Sequence, residues 1–356
     1  MKKSLSKKVL AAFATTALVV TGFTVPAANA ASKTIYVLGG GDAFFAIVKN
    51  GIKAATPASE KAGFKVQYLG LKNYDNIGPD MVKLIRTAVS QKAAALALPV
   101  WDAAAEVPEM KKAIAAGIPV FMYNAGEEQL AASGAKAYIG TNEVKAGIAL
   151  GTELARQGSK HGLCINTLPG SNNIKQRCDG MAEGMKNGGG KGETLELPTT
   201  QFGNSTAISN AIKAALTKDP TIDAVFTVAS VDTDAANAGI EAAGSKAKLG
   251  SWDVSPSILT RIRDGKSAAA VDQLGWLQGY QVVNFAFTWV AFGMLPGTTD
   301  FLTGPSLITK DNAAVIIAAS KTNKDPGVDV IDAGFNTQLG LAGYLTIPSA
   351  SRVPNL

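Results

Sequence analysis

The chain has 356 residues, 47% of them hydrophobic and 17% charged, with 34 lysines and arginines against 28 acids and a single histidine. That length exceeds what one hydrophobic core usually serves and predicts two domains. Four lysines and no acid fall in the first 30 residues, so the remainder carries only about +2, with no basic run suited to nucleic acid.

In chain order, residues 1–30 read as an export signal: a basic stretch over 1–8, a mostly apolar one over 9–25, and an A-x-A site at Ala28-Asn29-Ala30, with cleavage expected after Ala30. The apolar core is short and broken by Thr15, Thr16, Thr21, Gly22 and Thr24, which argues against a retained anchor. No cysteine stands near the site to take a lipid. The mature chain is therefore expected to be soluble in a Gram-negative periplasm, without membrane insertion.

Strands are expected near 34–38, 64–69, 94–98 and 118–122, alternating with helices near 44–61, 79–91 and 103–116. A second series follows, with strands near 162–166, 195–197, 223–228, 249–252 and 268–272, and helices near 144–157, 174–186, 206–216, 233–243 and 256–264. Alternating β and α units predict parallel sheets flanked by helices. Two such units in tandem give the expected fold class: α/β, with two similar Rossmann-like lobes joined by hinge strands. The boundaries expected are an N-terminal lobe of 31–138 plus about 274–303, a C-terminal lobe of 139–273 plus about 304–325, and an extension over 326–356. Tyr138-Ile139-Gly140-Thr141-Asn142 reads as the connection, and the amphipathic stretch 276–292 as a return to the first lobe.

Cys164 and Cys178 are the only cysteines, and an even pair in an oxidising compartment predicts a disulfide that pins the loop between them. A metal site is not expected, because two cysteines and the lone His161 offer too few ligands. His161, between Lys160 and Gly162, reads as a solvated loop residue.

Ligands of open parallel sheets bind beyond the carboxyl ends of the strands. That filter selects Asp42, Phe44, Phe45, Trp101, Asp102, Tyr123, Asn124, the run 166–177 with Asn173, Lys175 and Arg177, then Phe202, Ser230, Asp232, Trp252, Asp253 and Gln273. Aromatic faces cover the C–H surfaces of a sugar ring, while carboxylate, amide and guanidinium groups bond its hydroxyls. Of Phe44 and Phe45, only one easily faces inward. Asp42 and Asp253 also read as helix N-caps, a role compatible with ligand binding.

No catalytic constellation stands out. There is no G-x-S-x-G elbow, H-E-x-x-H pair, P-loop or Ca²⁺ loop. Gly39-Gly40-Gly41 lacks the third glycine of a dinucleotide fingerprint, its place being taken by Phe44, so no cofactor is expected. Asp42 and Asp253 are the one acid pair a glycosidase could use.

These residues resemble the sugar-binding branch of the periplasmic binding proteins, the ribose- and galactose-binding proteins that feed ABC importers, over about 33–312. Asp42-Ala43-Phe44-Phe45 resembles the family's Asn/Asp-Pro-Phe-Phe segment, and Ile118-Pro119-Val120 with Asn124 its IPV strand. Arg177-Cys178-Asp179-Gly180-Met181 is similar to the arginine-bearing helix, Gly250-Ser251-Trp252-Asp253 to the Gly-Phe-Asp turn, and Asp272-Gln273 with Gln278-Gly279-Tyr280 to the glutamine hinge. Ala125, Ala229-Ser230 and Ala43 depart from the ribose contact set, so ribose is not carried over. Either Lys175 or Arg177 fills the arginine position. The resemblance implies a non-enzymatic, monomeric binder that closes on a small sugar or polyol and docks on an ABC importer permease. The other reading it allows is a receptor for chemotaxis or quorum signalling, with a furanosyl autoinducer-like ligand.

Overall fold

The structure, a computed structural model, describes residues 33–322 except Pro296. The expected leader and the extension over 326–356 lie outside the described residues.

The first sheet orders its strands β2 (Lys65–Gly70), β1 (Thr34–Gly39), β3 (Ala95–Leu98), β4 (Val120–Tyr123), β5 (Tyr138–Thr141) and β11 (Asp300–Gly304), all parallel. The second repeats the design with β7 (Lys191–Glu196), β6 (His161–Asn166), β8 (Ala224–Thr227), β9 (Lys248–Trp252), β10 (Ala269–Asp272) and β12 (Ser306–Thr309), of which β12 alone runs antiparallel. Central strands such as Ala-Leu-Ala-Leu in β3 are buried on both faces because helices cover both sides of the sheet. The edge strand β7, Lys-Gly-Glu-Thr-Leu-Glu, is exposed at four of its six positions and carries three charged side chains, which suits an edge that must not template pairing.

The helices are α1 (Ala43–Lys61), α2 (Ile77–Ser90), α3 (Ala103–Ala115), α4 (Leu130–Ser133), α5 (Glu143–Arg156), α6 (Asn172–Asn187), α7 (Ser205–Lys218), α8 (Thr233–Ala242), α9 (Pro256–Arg263), α10 (Gly275–Phe292) and α11 (Lys310–Thr322). The apolar α10 packs on α1 and against β1, β3, β4 and β5. In the second lobe α5 and α6 cross through glycines: a Cβ on Gly147 would lie 2.5 Å from the Arg177 carbonyl, and one on Gly180 would lie 2.4 Å from that of Val144. Backbone-to-backbone approach at this crossing brings the start of α5 against the middle of α6.

The expected lobe boundary at 138 is corrected. Tyr138–Thr141 pairs with β4 and β11 inside the first sheet, so the chain leaves that lobe after Thr141. The other crossings are Gln273-Leu274 and the Gly304-Pro305 step. They run side by side: Thr303 Oγ1 donates to the Gln273 carbonyl at 2.9 Å, and a Cβ on Gly304 would lie 3.1 Å from the Asp272 carbonyl and 3.2 Å from Thr141 Oγ1. Leu274 adopts a left-handed φ of 57° at this hinge.

Candidate sugar-binding cleft

The carboxyl ends of the two sheets face one another across a cavity with about 460 Å³ of empty space, partly open to solvent. From the first lobe come Asp42, Phe44, Phe45, Tyr74, Ile77, Trp101 and Asn124; from the second Leu168, Ser171, Asn173, Ile174, Arg177, Phe202, Ala229, Ser230, Val231 and Asp253, with Gln273 at the crossing.

The first lobe's wall is built on the turn between β1 and α1. Asp42 caps α1, its Oδ1 accepting from the backbone of Phe44 at 2.8 Å and Phe45 at 3.3 Å, and its Oδ2 accepting the Tyr74 hydroxyl. Burial raises the Asp42 carboxyl above its ordinary range against these donors. Phe44 and Phe45 both line the cavity. Their rings meet edge to face at 5.2 Å, and Phe45 stands edge-on to Trp101 at 5.6 Å. The result is an apolar wall with an acid at its rim.

The second lobe contributes a buried charged network. Glu143, the first residue of α5, takes Arg177 Nε at 2.9 Å and Nη2 at 3.1 Å, a forked pair with both side chains under 5% exposed. Arg177 Nη1 donates to the Val228 carbonyl at 2.8 Å and Nη2 to Gln273 Oε1 at 3.1 Å. Its guanidinium lies 4.4 Å over the Trp252 ring. One of its five N–H groups is left for the cavity, and its charge is spent on Glu143. Burial pushes Glu143 up, and the guanidinium pulls it back.

Gln273 is the node between the lobes. Its Oε1 also accepts from Asn124 Nδ2 of the first lobe at 3.4 Å, and its Nε2 donates to Asp253 Oδ1 of the second at 2.6 Å. Asn124 and Asp253 follow β4 and β9, which hold the same place in their sheets, and both adopt left-handed backbone, with φ of 65° and 63°. Such conformations persist where the surroundings hold them, and functional sites are where they cluster. Burial drives the Asp253 carboxyl up to about 7, with Arg177 and Gln273 opposing the rise.

The lobes are closed on each other. Asn172 N donates to the Trp101 carbonyl at 3.0 Å, Asn172 Nδ2 donates to Glu128, and Tyr74 and Phe202 meet edge to face at 5.1 Å across the mouth. Outside that ring pair lies a recess lined by Lys72, Asn73, Asp75, Thr199 and Thr200, which shares Asp42, Tyr74, Phe202 and Val231 with the cavity.

Four expected site residues do not line the cavity, and each has another task. Trp252 is 0% exposed beneath Arg177, because its ring turns into the core beside Phe226. Asp232 is also 0% exposed; it accepts Thr167 Oγ1 at 2.6 Å and Gly203 N at 3.0 Å, bracing the loop that presents Phe202, and burial raises its carboxyl to about 6. Asp102 caps α3 through Ala105 N at 3.2 Å. Lys175 points outward to an ion pair with Asp179, so Arg177 is the cation at the cavity. His161 is corrected as well: as the first residue of β6 it is 2% exposed, not solvated.

Tyr74, on the loop after β2, lines the cavity outside the expected set, although the same strand-end filter reaches it. Leu168, Ser171 and Ile174 fell inside the run 166–177 and were not singled out. Cys164 and Cys178 are joined, Cα atoms 5.5 Å apart, and the bridge ties β6 to α6 around that loop.

The family model described as periplasmic binding protein domain matches residues 35–292. The chain belongs to this family. A carbohydrate transporter from Acidothermus cellulolyticus 11B, solved in complex with myo-inositol, is 30% identical, with a TM-score of 0.72 covering 80% of this chain and 96% of that one. A solute-binding protein from Burkholderia graminis C4D1M in complex with D-arabinose is 23% identical, with a TM-score of 0.67 over 79% and 97%, a likeness of fold. Among curated proteins, the xylose/arabinose-binding protein XylF of Sulfolobus acidocaldarius is 27% identical over 258 residues, 68% of this chain and 63% of that protein's length. Among the described residues no helix is long and apolar enough to cross a membrane.

Proposed function

We propose that this protein is the substrate-binding component of an ABC importer and traps a neutral, ring-shaped polyol or monosaccharide between its lobes. The observation that carries this reading is the charge balance of the cavity. Arg177 is neutralised by Glu143, which leaves Asp42 and Asp253 as acceptors without a spare cation. Such a site favours ligands that donate hydroxyl protons and disfavours phosphates and carboxylates. Phe44, Phe45, Trp101 and Phe202 supply apolar faces suited to the C–H surfaces of a ring. Because the myo-inositol-bound relative is 30% identical over most of both chains, myo-inositol is the first ligand to test.

Ligand shifts the population toward the closed form because it touches both lobes only there. The importer permease then docks on the closed outline of a monomer. The basic leader, the A-x-A site after an apolar stretch and the disulfide support export to the periplasm with cleavage after Ala30.

The test is a thermal-shift screen of the exported chain against myo-inositol, pentoses, hexoses, glucuronate and inositol phosphate. At ligand a hundredfold above Kd the folded state gains about 2.7 kcal/mol. At least one neutral compound should raise the melt and the anions should not; a shift confined to the anions, or none across the panel, refutes the reading.

A further inference from the structure

β2 and β7 are the equivalent edge strands of the two sheets, and they lie farthest from the strands that carry the crossings between the lobes. The loops that follow them, 71–76 and 197–204, therefore stand at the open side of the cleft, where a ligand enters. Tyr74 and Phe202 come from these two loops, and their edge-to-face pair separates the cavity from the recess outside it. The partition is thin, since Asp42 and Val231 border both spaces as well. Tyr74 is fixed by its hydroxyl on Asp42, whereas Phe202 is only half-buried. Rotation of that one phenyl ring joins the two spaces.

The recess holds about 780 Å³ of empty space, open to solvent. Its walls repeat the chemistry of the cavity with groups that are not yet spent. Lys72, Asn73 and Asp75 come from the first lobe, and Thr199 and Thr200 from the second. Among the described residues the side chains of Lys72, Asp75, Thr199 and Thr200 make no hydrogen bond, and Asn73 commits only its Oδ1, which accepts from Asp75 N at 3.3 Å. Donors and acceptors for hydroxyls thus stand beside an aromatic ring, the combination that suits a sugar. The Lys72 ammonium and the Asp75 carboxylate offset each other, so the recess favours a neutral group over a phosphate or a carboxylate. A group seated there touches both lobes and is held in full only when they are closed.

We propose that this recess is a second sugar subsite, so that the cleft takes glycosides as well as single rings, with one ring in the cavity and a second, neutral ring outside Tyr74 and Phe202. This rests on the reading of the cavity as a sugar site. The second ring would bond Asn73 Nδ2, the Asp75 carboxylate and the two threonine hydroxyls, and the glycosidic link would run past the displaced edge of Phe202.

Calorimetric titration of matched pairs tests it: xylose against xylobiose, glucose against maltose and cellobiose, galactose against melibiose and lactose, and myo-inositol against its galactoside. At least one glycoside should bind about tenfold or more tightly than its own monomer, the gain expected of two or three neutral hydrogen bonds. Thr200→Trp, an exposed substitution that fills the recess, should abolish that gain and leave the affinity for the monomer unchanged. The proposal is overturned if no glycoside outbinds its monomer, or if Thr200→Trp leaves the gain in place. Monomer binding without any gain from the second ring would strike the subsite alone, whereas a panel in which no neutral compound binds would strike the sugar reading of the cavity with it.

Discussion

Replacing Asp253 with asparagine separates what the cleft does for the ligand from what it does for the fold. Asparagine keeps the shape and tolerates the left-handed φ of 63°, where alanine would add strain, and can still accept from Gln273 Nε2 through its amide oxygen. What it removes is a carboxylate that burial holds at about 7 against 3.8 in an unfolded chain. Ionising that group in the folded state costs on the order of 4 kcal/mol, taking 1.36 kcal/mol per pKa unit. The ligand-free variant should therefore melt several degrees higher than the parent at pH 8, at roughly 2–4 °C per kcal/mol. Ligand binding should suffer, because each charge-assisted bond from a ligand hydroxyl contributes about 1.5–3 kcal/mol, or roughly 10- to 150-fold in Kd. Thermal melts with and without ligand, backed by calorimetric titration, read both effects. An Asp253→Asn protein that binds as tightly as the parent would refute the assignment of Asp253 to the ligand, and one that melts well below it would refute the burial argument.

Further outcomes follow from the same geometry. Asp253, with Asp232 and Asp272 at about 6, holds folded-state values above the unfolded ones. The stability these groups contribute is present in full below about pH 4 and lost as pH rises through about 7, so the ligand-free melt should fall across that window, and a melt that rises there would contradict this. Ligand hydroxyls favour the ionised Asp253, so affinity should run the other way and weaken toward about tenfold per pH unit below 7; a flat profile in calorimetry would contradict this. Glu143→Gln leaves Arg177 buried and unpaired and should cost about 3–5 kcal/mol in denaturant unfolding, whereas an exposed pair would cost under about 1 kcal/mol. Phe202→Ala removes the ring that meets Tyr74 across the mouth and should raise the ligand off-rate in stopped flow with little change in melt. Reducing the bridge between Cys164 and Cys178, which are separated by 14 positions, should cost about 3 kcal/mol of stability.

The alternation of strands and helices was legible because buried parallel strands read as apolar runs, and the strand-end filter then found the cleft's principal groups. It was blind where the signal is tertiary. In the polar edge strand β7 only the last residues carry an apolar signal, and β5 resembles a connection because its four residues include Gly140 and are followed by Asn142. Trp252 and Asp253 are neighbours on one strand end, but alternation along the strand sends the indole into the core and the left-handed turn brings the carboxylate into the cavity. Helical phase separates Lys175 from Arg177 on α6, and only the glycine crossing with α5 decides which one is buried. His161 misled because a polar residue between lysine and glycine looks solvated, while the carboxylates that surround it lie 32 and 58 positions away in the chain.

A crystal structure of the exported chain grown with the compound that gives the largest thermal shift tests the account most directly. It should show one ring-shaped molecule between the lobes, its hydroxyls on Asp42 and Asp253 and its C–H faces against Phe44, Phe45 or Trp101. A ligand held by one lobe alone, or bound outside this cavity, would contradict it.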